Sequence, residues 1–164
     1  MKLLKTIKDK DLPNGFKVRE ASRAILFDEN NLVPLLFVSK YNYHKLPGGG
    51  IEAGEDKIQA LIRETKEEVG STMEVGEEIG KVIEYRSKFN LKQISYCYLG
   101  KVLLKGSQKL EKDEIEEGYE LIWVPIDEAI QLIKSDETED YEGKFIQERD
   151  LAFLKEAKKL IKDK

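Results

Sequence analysis

The chain has 164 residues, with 28 basic and 32 acidic side chains and a net charge of −4. That length fits one core and a single domain over residues 1–164. The acidic balance excludes coating of a nucleic-acid polymer, which needs a strong positive excess, but admits a single nucleotide as ligand. Cys97 is the only cysteine, so there is no internal disulfide and no multi-cysteine zinc site. No apolar run approaches membrane length, and Met1 to Lys5 breaks off too soon for a signal peptide. A reducing, cytoplasmic setting is expected.

Residues 1–15 form a lysine-rich extension ending in the turn signal Pro13-Asn14-Gly15. Leu3, Leu4 and Ile7 suit a short strand or a helical turn. Phe16 to Phe27 reads as a strand, with Asp28 to Asn31 as a hairpin turn and Leu32 to Val38 as the return strand. Pro34 marks an edge or a bulge. Arg23, inside the first strand, either lies on the exposed face or points into a site. Tyr41, Tyr43 and His44, the only histidine, precede a glycine-rich loop. His44 is either an idle solvent-facing loop residue or lies at the mouth of a site.

From Leu46 to Ser71 the sequence reads LPGGGIEAGEDKIQALIRETKEEVGS. Gly48, Gly49, Gly50 and Gly54 make a loop whose backbone another group can approach closely. A helix is expected to start near Glu55 or Asp56, with acids in its first turn, and to stop at Gly70. Its apolar side is Ile58, Leu61, Ile62, Thr65 and Val69. Glu64, Glu67 and Glu68 fall in one arc of roughly 100° beside that face. Three carboxylates so close repel one another unless cations sit among them. Hard divalent ions such as Mg²⁺ favour this oxygen-rich setting. The planar fork of Arg63 suits it to hold Glu55 and neighbouring acids in position. A Glu/Lys-rich helix face is otherwise ordinarily just a solvated face.

Beyond the helix come Thr72 to Val75, Ile79 to Tyr85 and Gln93 to Leu104, all strand-like. Cys97 reads as a buried strand thiol. Arg86 to Asn90 is a hairpin loop with two cations and an aromatic ring. Lys105 to Glu117 is an acidic loop, and Tyr119 to Val124, containing Trp123, is a strand ended by Pro125. Asp127 suits the cap of a helix from Glu128 to Ser135. Glu142 to Lys162 reads as a final helix. Strands, a helix, more strands and terminal helices together fit an α+β layered fold.

One pattern narrows the function. Gly49, five residues, Glu55, seven residues, Arg63-Glu64, two residues, Glu67-Glu68, one residue, Gly70 matches seven fixed positions over 22 residues. The sequence is identified on this stretch, residues 49–71, as resembling the Nudix (MutT-like) hydrolases. Thr65 and Ser71 stand where that family prefers aliphatic residues. The resemblance implies a mixed β-sheet packed between helices, an α/β/α sandwich. It implies metal-dependent hydrolysis of a nucleoside diphosphate linked to another group, with Mg²⁺ or Mn²⁺ held by Glu64, Glu67, Glu68 and the Gly49 carbonyl. Glu55 and Arg63 would pair and orient the helix. One of the three box acids or Glu117 would take the proton from water, and Glu117, with Glu114 second, would add a metal ligand. Arg23, His44, Gly48 and Gly49 would contact substrate. A homodimer is in keeping with the family.

The alternatives are a non-catalytic nucleotide-binding or regulatory protein on the same fold and an isomerase of the isopentenyl-diphosphate type. The intact acid set argues against the first. The second is expected to use a cysteine in the site. A P-loop is excluded, since no G-x-x-x-x-G-K-[S/T] occurs. Which nucleotide is cut is not written in the motif.

Overall fold

A computed structural model describes residues 1–164. Eight strands and four helices follow one another as β1 (Leu3–Lys8), β2 (Lys17–Phe27), β3 (Leu32–Val38), β4 (Tyr43–Lys45), β5 (Gly48–Gly50), α1 (Lys57–Val69), β6 (Ser71–Arg86), β7 (Leu91–Lys105), α2 (Lys112–Glu116), β8 (Tyr119–Pro125), α3 (Ile126–Ser135) and α4 (Tyr141–Lys162). A 3₁₀ turn, Ser87–Phe89, joins β6 to β7. Five strands form a mixed sheet in the order β1-β6-β7-β2-β5, and three form an antiparallel sheet in the order β4-β3-β8.

The central strand β2 explains the layering. Ala21 to Leu26 are all buried, so both faces of β2 are covered there, and Ser22 and Arg23 are buried along with the apolar Ala24, Ile25 and Leu26. Ala24 and Leu26 face Leu61 and Val69 of α1, together with Met73, Tyr96 and Tyr98. Ile25 faces the other way, into a core with Val82, Cys97, Ile133, Phe153 and Leu154. Helices thus cover both sides of the sheet, as the α/β/α expectation requires. Each fully buried Leu or Val contributes about 1.5–3 kcal/mol.

Several local expectations are corrected. Residues 3–8 are a strand, parallel to β6. β2 and β3 do not pair as a hairpin: β2 is hydrogen-bonded to β7 along one edge and, over Ala21–Arg23, to β5 on the other, while β3 pairs with β4 and β8 in the second sheet. The Asp28 carboxylate, accepting from Asn30 N (2.9 Å) and Leu32 N (2.8 Å), instead turns the chain into the second sheet. Pro34 lies in the central strand of that sheet, but β4 reaches only Leu36–Val38, so on that side Pro34 has an open edge. Thr72 to Val75 and Ile79 to Tyr85 belong to one strand, β6, whose register shifts between them. The acidic segment expected as a loop holds the short helix α2. Asp127 does not cap α3, which starts at Ile126; it pairs with Lys158 of α4. No helix is long and apolar enough to cross a membrane.

Candidate active site

Helix α1 starts one or two residues later than expected, and both acids lie outside its first turn. Asp56 is the cap: its carboxylate accepts from Gln59 N (2.8 Å) while Gln59 Oε1 accepts from Asp56 N (2.9 Å), a reciprocal box that satisfies two orphan donors. The buried stripe is Ala60, Leu61, Thr65, Glu68 and Val69. Ile62, expected inside, is 43% exposed, because the helix is rotated to place Glu68 rather than Ile62 against the interior. Past Gly70 the chain returns along the same helix end. Lys109 N donates to Glu67 O (2.7 Å) and Gln108 Nε2 to Glu68 O (2.7 Å). These contacts satisfy the last carbonyls of α1 and deliver the acids of 111–117 to its flank.

The glycine loop is held from three sides. β5 pairs with β2, Gly48 opposite Arg23 and Gly49 opposite Ser22. Leu46 N donates to Asp150 Oδ2 of α4 at 2.9 Å. Gly48 N donates to Glu68 Oε2 of α1 at 3.1 Å. Gly48 has φ +141°, and a Cβ there would meet Ser22 O at 2.1 Å; one on Gly49 would meet Glu64 Oε1 at 2.4 Å. The second contact is why the loop backbone can lie directly on the first acid of the helix.

Arg63 organises the acids. Its Nε donates to both Glu55 oxygens (3.1 and 3.2 Å), Nη2 to Gly50 O (3.0 Å), and Nη1 to Glu64 Oε1 (2.8 Å) and Glu67 Oε2 (3.5 Å). The fork ties the loop, the residue before the helix and two helical carboxylates into one unit.

These elements enclose a cleft of about 240 Å³ lined by side chains of both charges. Glu64, Glu68, Glu111, Asp113, Glu114, Glu117 and Glu142 line it together with Arg19, Arg23 and Lys45. Glu68 is 2% exposed. Its burial, only partly offset by Lys45, pushes its carboxyl up to about 8. Lys45 Nζ lies 3.9 Å from Glu68 Oε1 and donates to Tyr119 Oη at 3.0 Å. Arg23 is buried, which lowers it to about 10, and it donates to Gly48 O at 2.8 Å while its Nε has no partner. Glu67 stands at the rim, raised by burial and by Glu64. Glu111 is raised by Glu114 above all.

The acids offer oxygen donors only, the kind Mg²⁺ takes. Their mutual repulsion marks a surplus of negative charge that Arg63 and Lys45 do not cancel. In this side-chain arrangement no three acids converge on one point, and Glu64 is engaged by Arg63. The acids fit a hard divalent cation in donor chemistry.

The sequence-expected residues Gly48, Gly49, Arg23, Glu64, Glu68, Glu114 and Glu117 line this one cleft, and Glu55, Arg63 and Glu67 adjoin it. His44 does not. It lies on β4, not in a loop, and alternation sends Tyr43 and Lys45 to the cleft and His44 away, onto Asp136 (Nδ1 to Oδ1 2.9 Å) and Phe37. Cys97 is fully buried in the core, its thiol pushed well up by burial; it cannot serve isomerase chemistry in the cleft. Arg19, Lys45 and Tyr119 were not expected. Arg19 lies four residues before Arg23 and so on the same face of β2, a period-2 signal present in the sequence. Lys45 had no such signal, since three residues are too few to show alternation.

The NUDIX domain family model matches residues 17–148. Human diphosphoinositol polyphosphate phosphohydrolase 3-beta is 28% identical over 125 residues, covering 74% of this chain and 72% of that protein. A NUDIX hydrolase from Nitrosomonas europaea superposes with a TM-score of 0.63 at 18% identity, covering 87% of this chain and 89% of that one. The C. elegans Ap4A hydrolase superposes at 0.60 and 18% identity, covering 88% and 98%. At such identities the two structures establish the shared fold, and the family match carries the classification. This chain belongs to the NUDIX family and is a Nudix hydrolase of the pyrophosphohydrolase kind.

Proposed function

We propose that the protein hydrolyses the anhydride of a nucleoside diphosphate linked to a further group, using Mg²⁺ or Mn²⁺. The observation that carries this reading is a single cleft lined by the motif acids, three cations and the glycine backbone. A diphosphate is densely anionic. Arg19, Arg23 and Lys45 bind its outer oxygens, and Arg23 and Lys45, both buried, do so with little screening. Glu64, Glu67, Glu68, the Gly49 carbonyl and Glu117 would hold the divalent ion, which neutralises the anhydride and acidifies water when bound. Water attacks phosphorus as one of Glu64, Glu67, Glu68 or Glu117 takes its proton, and the bridging oxygen leaves with the bonding pair as a phosphate. Arg63 keeps the acids in register throughout.

By their names, relatives act on diphosphoinositol polyphosphates and on Ap4A, so the anhydride is the common element and the attached group differs. The test is release of phosphate or nucleoside monophosphate from a substrate panel with Mg²⁺, Mn²⁺ or EDTA. Turnover silenced by EDTA, and lowered roughly 10²-fold or more in kcat by Glu67→Gln, is expected. Full turnover in Glu67→Gln, or turnover indifferent to EDTA, would overturn the assignment.

A further inference from the structure

Four of the cleft acids, Glu111, Asp113, Glu114 and Glu117, arrive on one strap of chain that runs from the end of β7 through α2. Of residues 106–117 only Glu114 is buried. Apolar burial therefore does little to hold the strap, and a helix as short as α2 is marginal by itself. Its place is set at its two ends. At the far end Lys40 N donates to Glu117 O (3.1 Å) and Ser39 Oγ to Gly118 O (2.8 Å). At the near end residues 106–110 make two hydrogen bonds to the rest of the protein, both to the last turn of α1. Lys109 N donates to Glu67 O and Gln108 Nε2 to Glu68 O, each at 2.7 Å. Those carbonyls belong to the very residues whose carboxylates stand at the cleft. Gly70 lets the strap come so close. A Cβ there would meet Gly106 O at 2.6 Å and Gln108 N at 2.8 Å. The last glycine of the motif, besides ending α1 at φ +71°, is thus the seat on which the strap lies.

We propose that Gln108 is a positioning residue for the hydrolysis: its amide clips the acid-bearing strap to the end of α1 and keeps the acids of 111–117 in register with Glu64, Glu67 and Glu68. The inference rests on the hydrolase reading and adds to it a residue outside both the motif and the cleft. The last carbonyls of a helix lack intrahelical partners and carry the negative end of its dipole, so a side-chain amide is a matched donor there. The acids on the strap and on α1 repel one another across the cleft. That repulsion drives the strap toward solvent, and the clip opposes it at the point nearest the box acids. Because the bond is made to the main chain of Glu68, any shift of that helix end carries the strap with it.

Two variants test the clip. Gln108→Met keeps the length of the side chain and loses the donor. Gly106→Ala puts a Cβ 3.0 Å from Gly70 O and lifts the strap without touching Gln108. Both are read by Mn²⁺ binding to the substrate-free protein, by hydrogen exchange of residues 106–117, and by kcat and KM. Since the strap buries little, the melting temperature is expected to stay within about 3 °C of wild type. Mn²⁺ is expected to bind about threefold more weakly or worse, and exchange to quicken at Lys109 and through α2. The value of kcat is expected to fall about tenfold, with KM changed less than about twofold. Wild-type Mn²⁺ affinity and kcat in both variants would overturn the proposal. So would a loss of activity that only follows a lowered melting temperature while Mn²⁺ affinity stays unchanged. Absence of any turnover in the wild-type protein would sink the hydrolase reading, whereas Mn²⁺ affinity and exchange would still decide the clip.

Discussion

Replacing Arg63 by lysine keeps the charge and removes the fork. In the native protein the guanidinium reaches Glu55, Gly50 O, Glu64 and Glu67 at once, from three separate nitrogens. A single ammonium cannot span those directions, so at least two charge-assisted hydrogen bonds are lost, one of them to the Gly50 carbonyl. Such bonds contribute about 1.5–3 kcal/mol each; the side chain is 24% exposed, and solvent screening brings each nearer 1 kcal/mol. The loss is therefore about 2 kcal/mol, or a fall of roughly 4–8 °C in melting temperature for a chain of this size. Because Glu64 and Glu67 also lose their common anchor, kcat is expected to fall by more than tenfold, with a smaller change in KM. Thermal unfolding and steady-state kinetics on the same preparation measure both. A lysine variant with wild-type melting temperature and kcat would show that charge alone, not the geometry of the fork, holds the acids.

Gly48→Ala tests the loop. The substitution puts a Cβ at φ +141° and 2.1 Å from Ser22 O, so β5 must part from β2; a loss of about 3 kcal/mol is expected by urea unfolding, and a loss under about 0.5 kcal/mol would mean the loop yields freely. Asp9→Asn tests the tether of the 3₁₀ turn. Partial burial raises the Asp9 carboxyl, but the Ser87 and Tyr141 hydrogen bonds outweigh it and hold it well below the usual range. A depressed native value stabilises above the unfolded value near 3.8 and is lost as pH falls through the native one. Wild type should thus exceed the variant in stability by about 1 kcal/mol at pH 6, after allowance for solvent screening, and the gap should shrink as pH falls below the unfolded value, closing only beneath the depressed native one. A gap that widens toward acid would refute the sign.

Much of the site was legible because its chemistry is local. The seven motif positions lie on one loop and one helix, where 3.6-residue periodicity places Glu64, Glu67 and Glu68 together and Gly70 ends the turn. Resemblance to a known family turned that spacing into an activity and a fold, and Arg23 and Glu117 into candidates. The longer elements, the strand ending at Phe27, helix α1 and the final helix, were likewise readable from periodicity, whereas β4, β5 and α2 are too short to show one.

Other features depend on contacts between residues far apart in the chain. Whether β3 returns beside β2 depends on partners far along the chain, and β8 takes it into the second sheet. Ile62 reads as apolar and therefore inside, yet the helix turns it outward because Glu68 must meet Gly48 and Lys45 beneath the loop. His44 and Lys45 are adjacent in sequence and opposite in fate, a matter of which face of β4 meets the cleft. Gln108 meets the carbonyl of Glu68 from 40 residues away, a contact that no local pattern announces. The sequence by itself determined that the seven motif residues share one loop and one helix, since their spacing is local. Tertiary structure alone decided that Arg19, Lys45 and Tyr119 join them in the cleft, because those neighbours exist only once distant strands and helices have packed.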